Sequence, residues 1–285
     1  MQKKIKSFDD VGINYSVERI SEFFLVFIQG VGSDLSSWKK VRQFFHKKGF
    51  STLALDLRGH GLSDRPNSVK DYKLEYFAKD VYKVIKTEKI RRFILIGYCF
   101  GGIITIKFHE LFPSLSKAYI LINTSYKARK PLRMLDKWSP LRYILNNILE
   151  ETGQKTRRFH YAKSDKFMGT GDWNLRRIYS DIKHTTFKSW IFTFETIANF
   201  DGTKTLKSIN EPVLIIQGLK DSFVLPETAE KMHKMIKSSK VEFIPNTNHL
   251  ILLNNNRILE RRILLYLETI DKFIYYKKFL KHIFD

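Results

Sequence analysis

Residues 92–102 read Arg-Phe-Ile-Leu-Ile-Gly-Tyr-Cys-Phe-Gly-Gly. An apolar run enters Gly97-Tyr98-Cys99-Phe100-Gly101, and a segment with helical spacing leaves it. A strand that turns directly into a helix holds its apex residue in a strained backbone conformation. Only very small neighbours let the two elements approach closely, which is the work of the glycines two positions either side of Cys99. This elbow demands a strand feeding a helix at one edge of a sheet. It also lifts one side chain clear of that edge, and that side chain is a thiol. Read alone, the motif does not separate a nucleophile from a small buried hydrophobe, the ordinary lot of free cysteine.

The rest of the chain supplies the sheet. Strand character marks residues 4–8, 13–18, 23–29, 51–57, 92–98, 117–123, 213–217 and 241–244. Helical spacing marks residues 36–48, 72–87, 99–111, 227–236 and 258–285, the last as one long helix or two shorter ones. Strands alternating with helices predict an α/β fold with a mainly parallel sheet. The rhythm breaks over residues 126–205, which are aromatic-rich and helical in character, and then resumes. One core built from residues 1–125 and 206–285, with 126–205 inserted, accounts for this better than two independent domains.

Composition narrows the setting. A chain of 285 residues with 43% hydrophobic content can bury a large core and is not disordered. A single cysteine excludes an intramolecular disulfide and predicts a reducing compartment. The N-terminus has lysines with no apolar run behind them, and no uncharged stretch is long enough to span a bilayer, so the expected location is the cytoplasm. The net charge of +21 reads as a lysine-rich solvated surface, or as attraction to an anionic partner: a phosphorylated cofactor, an acidic carrier protein or a membrane surface. Zinc-finger spacing, an RNA-binding aromatic pair and a helix-turn-helix signal are all missing, so no specific nucleic acid is expected.

A thiol nucleophile needs a base, a group to orient that base, and donors for an oxyanion. His249 follows the strand 241–244 on a polar loop and is the base candidate among eight histidines. Asp221 follows the strand 213–217 and is the orienting acid. The other place for an acid, after the strand 117–123, reads Asn123-Thr124-Ser125 and carries no carboxylate. The backbone N–H of Phe100, at the start of the elbow helix, and that of Val31, in the turn Gln29-Gly30-Val31-Gly32-Ser33, are the oxyanion donors.

The order nucleophile, acid, base resembles the α/β-hydrolase superfamily, and so does the stretch Leu55-Asp56-Leu57-Arg58-Gly59-His60-Gly61-Leu62-Ser63-Asp64. The resemblance covers nearly the whole chain outside the insertion. It implies a mostly parallel eight-stranded sheet flanked by helices, with residues 126–205 as a helical cap over the site. In that frame Asp56, Arg58 and His60 are structural, and Gln29 replaces a frequent histidine and holds the oxyanion loop. Gln29, Tyr98, Trp138 and Trp190 are the expected substrate-binding residues. The cap carries sixteen basic against eight acidic residues, a net +8, with Arg157-Arg158 and Arg176-Arg177 as clusters able to meet a phosphate or carboxylate. Cysteine in place of the usual serine is the main departure. Members with this exchange include dienelactone hydrolases, some thioesterase domains and polyhydroxyalkanoate synthases, whose box Gly97-Tyr98-Cys99-Phe100-Gly101-Gly102 resembles most.

The expected activity is hydrolysis of an ester, thioester or lactone through a cysteine-bound acyl intermediate, with no metal and no organic cofactor. The alternatives are an acyltransferase using a thioester of coenzyme A or of a carrier protein, and a non-catalytic ligand-binding protein. A complete triad argues against the last. The basic and apolar residues after position 273 read as packing against the sheet or a second subunit, with a membrane surface as the alternative.

Overall fold

The computed structural model describes residues 2–128, 148–150, 160, 161 and 163–274. Eight strands form one sheet: β1 (Gln2–Lys6), β2 (Gly12–Glu18), β3 (Phe23–Ile28), β4 (Ser51–Leu55), β5 (Arg92–Tyr98), β6 (Tyr119–Ile122), β7 (Val213–Gly218) and β8 (Ser239–Ile244). Their spatial order is β1-β2-β4-β3-β5-β6-β7-β8. The β1–β2 and β2–β4 pairs are antiparallel and every later pair is parallel. The eight strands fall where apolar runs predict them, with ends shifted by a few residues.

Parallel strands joined by helices must be covered on both faces, so they read as continuous apolar runs. Phe23-Phe24-Leu25-Val26-Phe27-Ile28 is such a run, and every residue of it is buried. Phe24, Val26 and Ile28 join one core cluster, while Phe23, Leu25 and Phe27 join another, because side chains alternate across a strand. The first cluster lies under α2 (Leu74–Thr87) and α3 (Phe100–Leu111). The second lies under α1 (Lys39–Lys47) and the final helix (Asn256–Ile274), which buries Leu259, Ile263, Tyr266, Leu267 and Ile270 against it. The stretch 275–285, expected to continue that helix, lies outside the described residues.

The elbow is built as its glycines require. Cys99 has φ 54° and ψ −116°, a conformation that costs an L-residue about 1–3 kcal/mol. A Cβ on Gly101 would sit 2.2 Å from the carbonyl oxygen of Ile28, and one on Gly97 would sit 2.4 Å from the carbonyl oxygen of Gly101. Strands β3 and β5 and helix α3 can therefore converge here only with glycine at both positions.

The segment between β6 and β7 carries α4 (Leu175–Thr185), α5 (Phe187–Ala198) and α6 (Thr203–Ser208) among its described residues. Its two ends meet: Lys127 bridges Asp201, and the Gly202 N–H donates to the Tyr126 carbonyl at 2.7 Å. Helix α5 packs on the core through Phe192, which meets Tyr72 edge-on at 5.3 Å. Arg65, in the loop after β4, donates to the Thr185 carbonyl at 3.2 Å and to the His184 carbonyl at 3.0 Å. That same loop is braced below. The fully buried Arg58 donates to Asp80 on α2 at 2.7 and 2.8 Å and to Asp9 at 2.9 Å, and Asp56 accepts from the Leu35 and Leu62 N–H groups. His60 meets the Arg58 carbonyl at 3.0 Å through Nδ1. These contacts fit the structural role expected for Asp56, Arg58 and His60.

Candidate active site

The functional side chains sit at the carboxyl ends of parallel strands, where an open α/β sheet places its ligand crevice. Cys99 stands between β5 and α3, its N–H donating to the Ile122 carbonyl at 2.9 Å and its carbonyl accepting from Thr124 Oγ1 at 2.6 Å. The residue is half-buried and is not in a disulfide. Asp221 and His249 follow β7 and β8. Their loops are tied by backbone bonds, Lys220 N–H to the Thr247 carbonyl at 2.8 Å and Leu219 N–H to the Ile244 carbonyl at 3.1 Å.

His249 Nδ1 lies 2.8 Å from Asp221 Oδ2, and Cys99 is close enough for its charge to act on the imidazole. The carboxylate fixes a proton on Nδ1 and leaves Nε2 as the nitrogen open to another partner. Asp221 is itself held: Oδ1 accepts from the Phe223 and Val224 N–H groups at 2.9 and 2.8 Å, and Oδ2 accepts from Gln217 Nε2 at 3.2 Å. Burial disfavours a charge on His249, but negative charge at Cys99 and the Asp221 contact outweigh it, raising the imidazole pKa to about 10.

The segments carrying the expected oxyanion donors adjoin the elbow. A Cβ on Gly30 would be 3.0 Å from Cys99 Cβ, so the turn carrying Val31 runs directly past the nucleophile. Phe100 opens α3, and a first-turn N–H has no carbonyl within its own helix.

The four expected substrate-binding residues fare differently. Gln29 is fully buried. With its amide oriented to satisfy both ends, its nitrogen donates to the Leu55 carbonyl and its oxygen accepts from the Leu57 N–H at 3.2 Å, fastening the Val31 turn to the end of β4. Tyr98 is nearly buried with its ring 5.4 Å from that of His249, and its hydroxyl donates to the His249 carbonyl at 2.9 Å. Trp190 is half-buried on α5, its ring 4.2 Å from Phe194. Trp138 lies outside the described residues, as do Arg157 and Arg158. Arg177, read from the sequence as able to meet an anion but more often part of a solvated helix face, turns inward to Asp181 at 2.5 Å and to the Asp172 carbonyl at 2.7 Å. Arg176 lines a cavity of about 600 Å³ with Lys166, Lys183, His184, Phe167 and Tyr179.

Two residues escaped the sequence reading. Asn123, noted only for lacking a carboxylate, donates through Nδ2 to the His249 carbonyl at 2.9 Å and accepts through Oδ1 from the Gly218 N–H at 2.9 Å. Asp172 accepts the His249 N–H at 2.9 Å. Its Gly171-Asp172-Trp173 setting carries no motif, so nothing local announces the contact.

Among the described residues no cluster of three His, Cys, Asp or Glu is placed to hold a metal ion, and no helix is long and apolar enough to cross a membrane.

An open, mostly parallel eight-stranded sheet with a strained elbow after its central strand defines an α/β hydrolase. The alpha/beta hydrolase fold family matches residues 24–256, and the chain belongs to it. Protein ABHD8 of Homo sapiens is 26% identical over 247 residues, which cover 82% of this chain and 52% of that protein. The chain therefore spans about half the length of the ABHD8 proteins it matches. Putative esterase/lipase 2 of Mycoplasma genitalium is 25% identical over 226 residues, covering 76% of this chain and 78% of that protein. A hydrolase from Pseudomonas aeruginosa PA01 superposes with a TM-score of 0.74 over 93% of this chain and 98% of its own, at 19% identity.

Proposed function

We propose that this protein hydrolyses an ester, thioester or lactone through an acyl intermediate on Cys99, with His249 as acid and base and Asp221 orienting it. One observation carries this reading: a thiol on a strained elbow facing an imidazole whose other nitrogen is 2.8 Å from a buried carboxylate. The esterase/lipase name of the M. genitalium relative supports the bond class.

The thiolate Sγ attacks the carbonyl carbon, a C–S bond forms, and the carbonyl π pair moves onto oxygen, where the Val31 and Phe100 N–H groups receive it. The pair returns, the bond to the leaving group breaks, and His249 Nε2 protonates the departing oxygen or sulfur. Acylation removes the negative charge that held the imidazolium proton, so His249 is free to act as base. It then takes a proton from water as that water attacks the thioester. The carboxylic acid leaves and the thiolate–imidazolium pair is restored. This chemistry requires no metal or cofactor.

Residues 126–205 serve in this reading as a cap that shapes the acyl pocket. Lys166, Arg176 and Lys183 line a cavity between Ser164–Phe167 and α4 whose wall includes none of Cys99, Asp221 and His249, so a preference for substrates that carry a carboxylate or phosphate, whether free, on coenzyme A or on a carrier protein, rests on the basic surface as a whole. Activated esters and acyl thioesters of several lengths, incubated with the protein and followed by intact mass, should give an acyl-sized increase or rapid turnover. Both should vanish in Cys99→Ala. A rate that rises with an added amine or thiol would turn the reading to acyl transfer. No adduct and no turnover, with ligand affinity retained in Cys99→Ala, would leave a binding protein.

A further inference from the structure

Resting on that reading, the geometry points to Asp172 as a positioning residue that fastens the base loop to the acid loop. One carboxylate joins the two. Oδ1 accepts the His249 N–H at 2.9 Å, while Oδ2 accepts both the Ser222 N–H and the Ser222 hydroxyl at 2.9 Å. Ser222 is the neighbour of Asp221, so the clip spans the backbone beside each partner of the imidazole–carboxylate pair. Asp172 itself is 5% exposed.

The clip comes from outside the sheet. Asp172 belongs to the segment between β6 and β7, and its surroundings are stitched to the same base loop. Asn248 Nδ2 donates to the Thr170 carbonyl at 3.0 Å, and the Gly169 N–H donates to Asn254 Oδ1 at 2.8 Å. Arg177 on α4 holds the Asp172 carbonyl at 2.7 Å. Trp173 meets Phe223 edge-on at 4.7 Å, and Phe223 lies 5.1 Å from the His249 ring.

The core supplies the opposing grip. Tyr98 hydroxyl and Asn123 Nδ2 both donate to the His249 carbonyl at 2.9 Å. The two backbone polar atoms of His249 are thus held from opposite directions, the carbonyl by the sheet and the N–H by the inserted segment. An imidazole facing both a sulfur and a carboxylate has little tolerance for rotation, since hydrogen bonds weaken steeply with angle. Releasing the N–H would let the ring drift from Cys99 even though Asp221 stays in place.

The sole cysteine makes the test direct. Cys99 alkylation by iodoacetamide, read by intact mass, reports its thiolate at about pH 6, where an unassisted thiol is almost wholly protonated, and at about pH 9, where it is largely ionised. The ratio of the two rates cancels changes in access and isolates the imidazole's help. His249→Ala should lower that ratio by about tenfold or more, and Asp172→Asn, which keeps the shape but not the charge, by about tenfold at an unchanged circular dichroism spectrum. An unaltered ratio in His249→Ala would sink the triad reading itself. A fall in His249→Ala with a wild-type ratio in Asp172→Asn overturns the positioning role and leaves Asp172 a brace for the fold. Asp172→Ser serves if the amide variant does not fold, and failure of both to fold overturns the proposal as well.

Discussion

At the scale of single residues, the site depends on how one proton is held. An ordinary histidine loses its charge near pH 6.5, but here the raised value of about 10 keeps the imidazolium through neutral pH. The charged form is fully present below the ordinary value and is lost as pH rises through about 10. Acylation by a simple alkyl ester, whose leaving group needs that proton, should therefore hold to about pH 9 and fall beyond it. Asp221→Asn, which removes a partner of the proton, should move this limb toward neutrality and slow acylation by about 100-fold or more. A pH–rate profile of the first acyl transfer checks both. Cys99, His249 and Asp221 were legible in the sequence because each follows an apolar strand, where a parallel sheet gathers side chains at one edge. Asp172 was not, because the partners of its carboxylate, two backbone N–H groups and the Ser222 hydroxyl, lie more than forty positions away and come near only after the insertion has docked.

Among the elements, the elbow and the loop after β4 carry the strain and the brace. Adding one methyl group at Gly101 places it against the Ile28 carbonyl at a separation no Cβ tolerates. Gly101→Ala should cost about 3 kcal/mol or more, read as a lowered midpoint in urea, with Cys99 reactivity lost alongside. The buried Arg58–Asp80 pair makes a different demand, because each charge is out of water and held by the other. Asp80→Asn leaves the guanidinium with Asp9 as its one carboxylate partner and should cost about 3 kcal/mol by the same measurement. Strands and sheet helices could be read from the chain because apolar runs and helical periodicity are local signals. The Gln29 amide could not be placed, since its partners at Leu55 and Leu57 belong to a neighbouring strand and its loop.

For the molecule as a whole, the surplus of 21 positive charges sets the long-range field. A strongly basic surface should raise encounter rates for anionic substrates and lose that advantage as salt screens it. Carboxylate-bearing esters should exceed neutral esters of equal length in kcat/KM at low ionic strength. The preference should shrink by about threefold or more between roughly 0.05 and 0.5 M salt. A preference independent of salt would assign the selectivity to contacts within the pocket.

The meeting of Lys127 with Asp201 has a consequence for how such a chain can change. The roughly seventy residues between them leave and rejoin the core at a single point, so the entropy of closing that excursion grows only with the logarithm of its length. To the sheet, the whole excursion is topologically a hairpin turn. Its length can change at small thermodynamic penalty provided the neck, the Phe192–Tyr72 contact, the Arg65 bonds and the Asp172 clip survive. Diversification can then rewrite what enters the pocket while the bond-breaking groups stay where they are.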